Sequence, residues 1–459
     1  MSQPFAESLS WNAALIAKYN SSGPRYTSYP TALEFAPGFG DAELEAAVAG
    51  SASRSLSLYL HIPFCHTLCY YCGCNKVITR HGGRADRYLD AVAAEVARRQ
   101  PQFADYQVRQ LHWGGGTPTF LDEAQLRRTM ALLRGAFNFD DVLEAGIEVD
   151  PRELPVARLA LLRELGFNRI SIGVQDFDPK VQQAVNRVQD EGHIVALVAE
   201  ARRLQFNSIN LDLIYGLPHQ HEAQFITTLD KVIALKPHRL SVFNYAHLPA
   251  RFAAQRKLKA DTLPGPEVKL ALLRHSIERL TAAGYQYIGM DHFALPDDEL
   301  AVLQRAGQLH RNFQGYTTHG ECDLLGLGVS AISQIGASYL QNSRELKAYQ
   351  QAVGAQGSAL ERGCRLNSDD LLRRHLIKEL ICNLAVSKAA ISQMFSIDFD
   401  EYFSDALALL QPLVADGLVV MDEQQLRVTN PGRVRIRPIC LAFVRYHPAQ
   451  RQRQFYRLI

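Results

Sequence analysis

The chain reads as an α/β protein, a partial barrel of six (β/α) units with an N-terminal arm before it and a mainly helical, winged-helix-like domain after it. Two patterns carry this expectation. From Leu56 onward a short apolar strand, a loop bearing glycine or a carboxylate, and an amphipathic helix recur in strict alternation, which implies a parallel sheet with right-handed crossovers. From about Asp369 that repeat gives way to helices and one hairpin. Six units fall short of the eight that close a full barrel, so an open side is expected, wide enough for a large ligand. In chain order the expected divisions are 1–50 for the arm, 51–365 for the barrel with its extension, and 366–459 for the C-terminal domain.

The arm begins with a helix expected over 11–19 and continues through Arg25, Tyr26, Tyr29 and Pro30, where two prolines and a glycine prevent regular structure. A surface linker is one reading of this segment. A lid is the other, because aromatic rings and a guanidinium suit a flat, carboxylate-bearing ligand.

The barrel strands are expected over 56–63, 108–113, 145–149, 169–174, 208–214 and 240–245, with helices over 87–99, 123–136, 156–165, 181–185, 192–204 and 222–234. Their carboxyl ends carry the unusual residues. Trp113 leads into Gly114, Gly115, Gly116 and Thr117, and the third strand ends at Glu148 and Asp150. Gln175 and Asp176 follow the fourth strand, Asp212 and Gly216 the fifth, and Asn244 to His247 the sixth. Each alone reads as a cap or turn, but their recurrence at one edge of the sheet marks a functional rim. A further strand is expected over 285–290, with His292, His310, Arg311 and Gln314 beyond it. Gly326 and Gly328 form a G-x-G that lacks the βαβ context of a dinucleotide site.

In the C-terminal domain, helices are expected over 370–384, 389–394 and 402–416, strands over 418–421 and 426–429, and a final helix from Asn430. Modules of this pattern often bind DNA. The second helix here has no arginine or lysine to meet phosphates, so nucleic acid is not an expected partner. The overall charge agrees: 49 Lys+Arg against 47 Asp+Glu gives a balanced surface with no basic tail. There is neither a long apolar run nor an N-terminal signal pattern, which predicts a cytoplasmic protein with no membrane span. A monomer is expected.

Four of the eight cysteines crowd into Cys65, Cys69, Cys72 and Cys74. The C-x3-C-x2-C spacing lets one loop wrap three thiolates around an iron–sulfur cluster. A structural zinc site would show a second cysteine or histidine knuckle, and Cys322, Cys364, Cys382 and Cys440 stand alone. Three ligands for four irons leave one iron open, as a catalytic metal site requires.

With Tyr71 before its third cysteine, this spacing resembles the signature of the radical S-adenosylmethionine (SAM) superfamily. The longer string from Tyr59 through His61, Pro63 and Phe64 to Cys74, together with the Arg25–Tyr29 segment, narrows the resemblance to the oxygen-independent coproporphyrinogen III oxidase family. The resemblance implies a [4Fe–4S] cluster on Cys65, Cys69 and Cys72, and two SAM molecules. Tyr59, Gly115, Glu148 and Ile332 would contact the first. Tyr71, Gly116, Thr117, Gln175, Arg187, Asp212 and Ala246 would contact the second. Tyr59, His61, Cys74 and Gln314 are the candidate catalytic residues, and Arg25 and Arg311 the candidate contacts for substrate carboxylates. The implied reaction converts two propionates of coproporphyrinogen III to vinyl groups through a 5′-deoxyadenosyl radical, with an electron donor and an acceptor that the sequence does not identify.

Overall fold

The computed structural model describes residues 13–19, 22–23, 28–446 and 456–457. They form two compact units, Phe35–Lys269 with Glu321–Arg365, and Leu270–Gly320 with the described residues of 1–34 and 366–459. Packing thus interleaves stretches that chain order separates.

The first unit holds six parallel strands: β1 (Ser55–Ile62), β2 (Gln107–Gly115), β3 (Asn138–Val149), β4 (Arg169–Gln175), β5 (Ser208–Tyr215) and β6 (Arg239–Asn244). They lie side by side in chain order. The connecting helices include α1 (Gly83–Arg99), α2 (Glu123–Ala136), α3 (Arg158–Glu164), α4 (Pro179–Ala184), α5 (Glu191–Arg203) and α6 (Glu222–Ala234). In β1 the leucines at 56, 58 and 60 are wholly buried, while the alternate residues Ser57, Tyr59 and His61 occupy the other face, as a strand's two-residue period dictates.

That second face is polar and internally bonded. Ser57 donates to Gln110 (2.8 Å), Gln110 donates to Glu144 (2.7 Å), and Arg169 pairs with Glu144 (3.0 Å). A closed barrel fills this space with branched aliphatic side chains. Here the hydrogen-bonded belt leaves the wall polar.

Several strands escape the sequence reading. Asp323–Leu327, here β7, runs parallel to β1 on its other edge, pairing Gly326 with Tyr59, and antiparallel strands at Ile332–Ile335, Ser338–Asn342 and Leu360–Arg365 extend the sheet further. The glycines of the G-x-G disguise β7. A Cβ on Gly326 would lie 2.6 Å from the Ile332 carbonyl oxygen, and one on Gly328 (φ +94°) would collide with Tyr88 Oη. Both glycines therefore serve close packing. Residues 35–50, expected with the arm, belong to this unit: Ala36–Pro37 pairs with the strand Leu360–Arg365, and Leu44 and Ala47 of the helix Asp41–Gly50 are buried.

The second unit is built on the helices Ser368–Asn383, Lys388–Phe395 and Ser404–Ala415 with a three-stranded wing of Ala385–Ser387, Gln425–Val428 and Val419–Met421. The wing has one strand more than the hairpin expected. Lys388 opens the second helix, one residue earlier than the sequence reading places it, but the side chain is buried and paired with Asp400 at 2.7 Å, so it presents no free cation. The expected strand over 285–290 is Gln286–Gly289, paired antiparallel with His292–Ala294. Tyr29 is 4% exposed in the core of this unit, where its hydroxyl accepts from the Arg445 N–H at 3.1 Å. It is thus an anchor and not a lid aromatic. Arg25 and Tyr26 lie outside the described residues.

Candidate functional site

The cysteine loop leaves the carboxyl end of β1 and is pinned at its base. Phe64–Cys65 pairs in parallel with Val77–Ile78, and Thr79 N–H donates to the Cys65 carbonyl at 3.0 Å. Two turns of the neighbouring units hold its far side. Tyr70 N–H bonds the Val185 carbonyl (3.0 Å), the Asn186 amide bonds the Leu68 carbonyl (2.8 Å), and His66 pairs with Glu153 (2.8 Å).

This loop presents Cys65, Cys69 and Cys72 as free thiols among polar donors. Cys69 Sγ accepts from Arg152 Nη2 and from Arg187 Nη1, both at 3.3 Å, and Cys65 Sγ accepts from Thr117 Oγ1 at 3.5 Å. The hydrogen bond from Cys74 pulls the Cys72 thiol down to about 6, while that same bond pushes the Cys74 thiol well up. Cationic donors aimed at sulfur fit an anionic iron–sulfur cluster, whose thiolates accept N–H···S bonds. Arg152 went unnoticed in the sequence; its signal was a base two residues after Asp150 at the rim.

Beside the loop, the glycine triplet threads across the end of β1. Gly116 N–H bonds the Ile62 carbonyl and Thr117 N–H the Phe64 carbonyl, both at 2.8 Å. Added Cβ atoms at Gly114, Gly115 and Gly116 would meet the Glu148 carboxylate (2.9 Å), the His61 ring (2.6 Å) and the Pro63 backbone (2.7 Å). The glycine is required at Gly116, against the Pro63 backbone, and at Gly115, which has φ +114° beside the His61 ring.

His61 Nε2 bonds the Asn75 carbonyl at 3.0 Å, and a carbonyl only accepts, so Nε2 carries the proton and Nδ1 is left to accept from Tyr59 Oη at 3.1 Å. Burial lowers the His61 pKa, which favours this neutral form. Tyr59 also stacks on His112 at 6.1 Å, and His112 Nε2 donates to Glu148 at 3.2 Å. Glu148 accepts the Gly115 N–H as well (3.2 Å). Burial works against its charge, but these donors outweigh it and hold its carboxyl below the ordinary range. With 46% of its side chain accessible, Glu148 offers an ionised oxygen to a ligand. His112 and Asn75 were not among the sequence candidates.

Farther round the wall, burial first of all, and the charge of Glu148, push the Asp212 carboxyl up to about 6 despite hydrogen bonds from Ser171 and Asn210 (2.8 Å each). A raised carboxyl pKa makes the folded state bind the proton more tightly than the unfolded chain. Stability of the ligand-free protein should therefore fall between about pH 4 and pH 6 and level off above. Asp212→Asn is expected to remove that slope and to stabilise the protein by about 2–3 kcal/mol at pH 7. Chemical denaturation of both proteins at pH 4.5 and 7 checks it.

Gln175, in the left-handed region at φ +68°, and Arg187 meet over Gly173, whose Cβ would lie 2.8 Å from Gln175 Nε2 and 2.9 Å from Arg187 Nη2. Arg187 also binds Asp150 (3.0 Å) and the Gly173 carbonyl (2.6 Å). Gln255, another residue the sequence did not mark, ties together the Tyr71 and Ala246 carbonyls at 3.0 and 3.2 Å. Ile332 abuts Gly326, the neighbour of Tyr59. Asp176, by contrast, is consumed internally by Thr228 and Gln220. The first unit thus gathers all the cluster, SAM and β1 candidates. Arg311 and Gln314 belong to the second unit, on the hairpin of His310–Asn312 and Gly315–Thr317, where Arg311 stacks on Tyr316 at 4.7 Å.

Residues 59–232 match the model of the Radical SAM superfamily, and residues 366–435 match that of the HemN C-terminal domain. The chain is 57% identical over 454 residues to the oxygen-independent coproporphyrinogen III oxidase of Salmonella typhimurium, covering 99% of each chain, and it is equally similar to the enzyme so named from Escherichia coli K12. The Pseudomonas aeruginosa relative of that name is 52% identical over 458 residues, with 99% of this chain and 100% of the relative covered. A solved structure described as coproporphyrinogen III oxidase (HemN) from Escherichia coli, a radical SAM enzyme, superposes with a TM-score of 0.93 at 56% identity, over 96% of this chain and 100% of that one. With near-complete coverage at such identity, the chain belongs to the oxygen-independent coproporphyrinogen III oxidase family of the radical SAM superfamily.

Proposed function

We propose that this protein decarboxylates two propionate side chains of coproporphyrinogen III to vinyl groups without oxygen, yielding protoporphyrinogen IX in haem biosynthesis. The observation that carries the reading is the loop of three free thiols with two guanidinium groups directed at Cys69 Sγ, set on a polar barrel rim. Cys65, Cys69 and Cys72 would hold a [4Fe–4S] cluster. Tyr59, Gly115, Glu148 and Ile332 would line a first SAM; Tyr71, Gly116, Thr117, Gln175, Arg187, Asp212 and Ala246 would line a second. When bound, the cluster and SAM supply the radical that removes a hydrogen from the propionate.

The chain's own groups bind, orient and exclude. The accessible carboxylate of Glu148 suits the amino group of SAM, and the glycine triplet lets the cofactor approach the backbone closely. The Tyr59–His61 pair is locked in one tautomer by Asn75, so the Tyr59 hydroxyl proton points at His61 Nδ1. Cys74 stands two residues beyond Cys72, as a neighbour of the cluster loop.

Arg25 and Arg311 are proposed to meet substrate carboxylates, with Gln314 as a polar neighbour. Arg25→Ala is expected to leave iron content intact while lowering decarboxylation at least about 10-fold, the value of roughly 1.4 kcal/mol for one charge-assisted contact. An unchanged rate would take Arg25 out of the site. The protein is proposed to act as a cytoplasmic monomer; no helix among the described residues is long and apolar enough to cross a membrane. Anaerobic incubation with coproporphyrinogen III, SAM and a reductant tests the whole reading. Mass analysis should find loss of two CO2 together with 5′-deoxyadenosine, and absence of both products would refute it.

A further inference from the structure

We infer that Arg152 is a positioning residue that raises the reduction potential of the cluster through its hydrogen bond to Cys69 Sγ. This rests on the reading of Cys69 as a cluster ligand. Hydrogen bonds to three residues aim the guanidinium. Nη2 donates to Cys69 Sγ at 3.3 Å and to Asp150 Oδ2 at 2.6 Å, Nε donates to Asp150 Oδ1 at 3.0 Å, and Nη1 donates to the Asn186 carbonyl at 3.3 Å. The side chain is 13% exposed, so little water screens it.

A purely structural Arg152 would need only Asp150 and Asn186, which already bind the turn after β3 to the turn after α4. The bond to sulfur is additional. Arg187 reaches the same sulfur at 3.3 Å, and Asp150 lies between the two bases. Two guanidinium charges and one carboxylate leave a net charge of +1 beside Cys69 Sγ. One-electron reduction adds a negative charge to the cluster and its thiolates, and a buried positive group with an N–H on sulfur stabilises that state more than the oxidised one. Arg187 is further engaged by the Gly173 carbonyl, whereas among the described residues the side-chain hydrogen bonds of Arg152 go to Cys69, Asp150 and Asn186. Replacing Arg152 therefore removes a donor to the Cys69 sulfur while Arg187 keeps its own bonds to Cys69, Asp150 and the Gly173 carbonyl.

The test is anaerobic redox titration with dithionite of full-length, reconstituted protein, followed by the visible absorbance and the spin signal of the reduced cluster. Iron and sulfide are measured first. Arg152→Gln should keep wild-type iron and shift the midpoint potential negative, and Arg152→Lys, which retains the charge, should fall between. An unchanged potential at full iron content would overturn the inference. Loss of iron in both variants would overturn it too, because the residue would then hold the loop together and not tune the cluster. Failure of the underlying reading shows separately, as full iron retention in Cys69→Ser.

Discussion

Cys69→Ser should yield a folded protein that assembles no stable cluster and decarboxylates nothing above background, a loss of more than about 10³-fold, because the cofactor carries the difficult chemistry. Of the three loop thiols, Cys69 is the buried one, and it is the one bonded by both guanidinium groups. A serine hydroxyl is harder than a thiolate and remains protonated, so it neither ligates iron nor offers Arg152 and Arg187 an anion. The protein should still fold. Both bases keep Asp150, and the loop keeps its pairing at Val77–Ile78 and its bonds to the Val185–Asn186 turn. Iron analysis and the broad visible absorbance of the reconstituted variant check this. Full iron binding would show that Cys69 is not a ligand.

Gly115→Ala is expected to disable the enzyme without touching a cysteine. Gly115 sits at φ +114°, a conformation that L residues rarely adopt, and its Cβ would fall 2.6–2.9 Å from three atoms of the His61 ring. That ring cannot retreat cheaply, because Tyr59 Oη and the Asn75 carbonyl fix its two nitrogens. Strain of about 1–3 kcal/mol and overpacking of about 1–3 kcal/mol suggest a total of roughly 2–6 kcal/mol. The same shift would pull the Gly115 N–H away from Glu148 and so disturb the proposed SAM contact. Thermal denaturation should show the loss of stability, and turnover should fall at least about 100-fold while iron content stays near that of the unaltered protein. Wild-type turnover would mean that neither the glycine nor the ring position matters to the reaction.

The sequence marked the rim well where chemistry requires particular residue types. Three cysteines at loop spacing, a glycine triplet after a strand, and carboxylates at strand ends can be read one residue at a time, because each depends on local geometry. Five of the six barrel helices fall within about two residues of expectation, while the first starts four residues early, at Gly83. The strand β7 was missed because Gly326 and Gly328 look like a loop. Their reason is non-local, the backbone of Ile332 and the Tyr88 hydroxyl pressing against them. Tyr29 was misread for a related reason. An aromatic ring beside prolines resembles a lid until a core is found to enclose it.

By itself, then, the sequence determined the alternating barrel, the cysteine loop and the family resemblance, since these follow from periodicity and from the spacing of ligating atoms. Only the tertiary structure decided the partners of those atoms. That Arg152 and Arg187 share one sulfur with Asp150 between them, that Asn75 sets the tautomer of His61, and that Gln255 joins Tyr71 to Ala246 all depend on side chains from distant loops. Hydrogen bonding acts over about 3 Å, and parallel strands bring such loops together only when the sheet has formed.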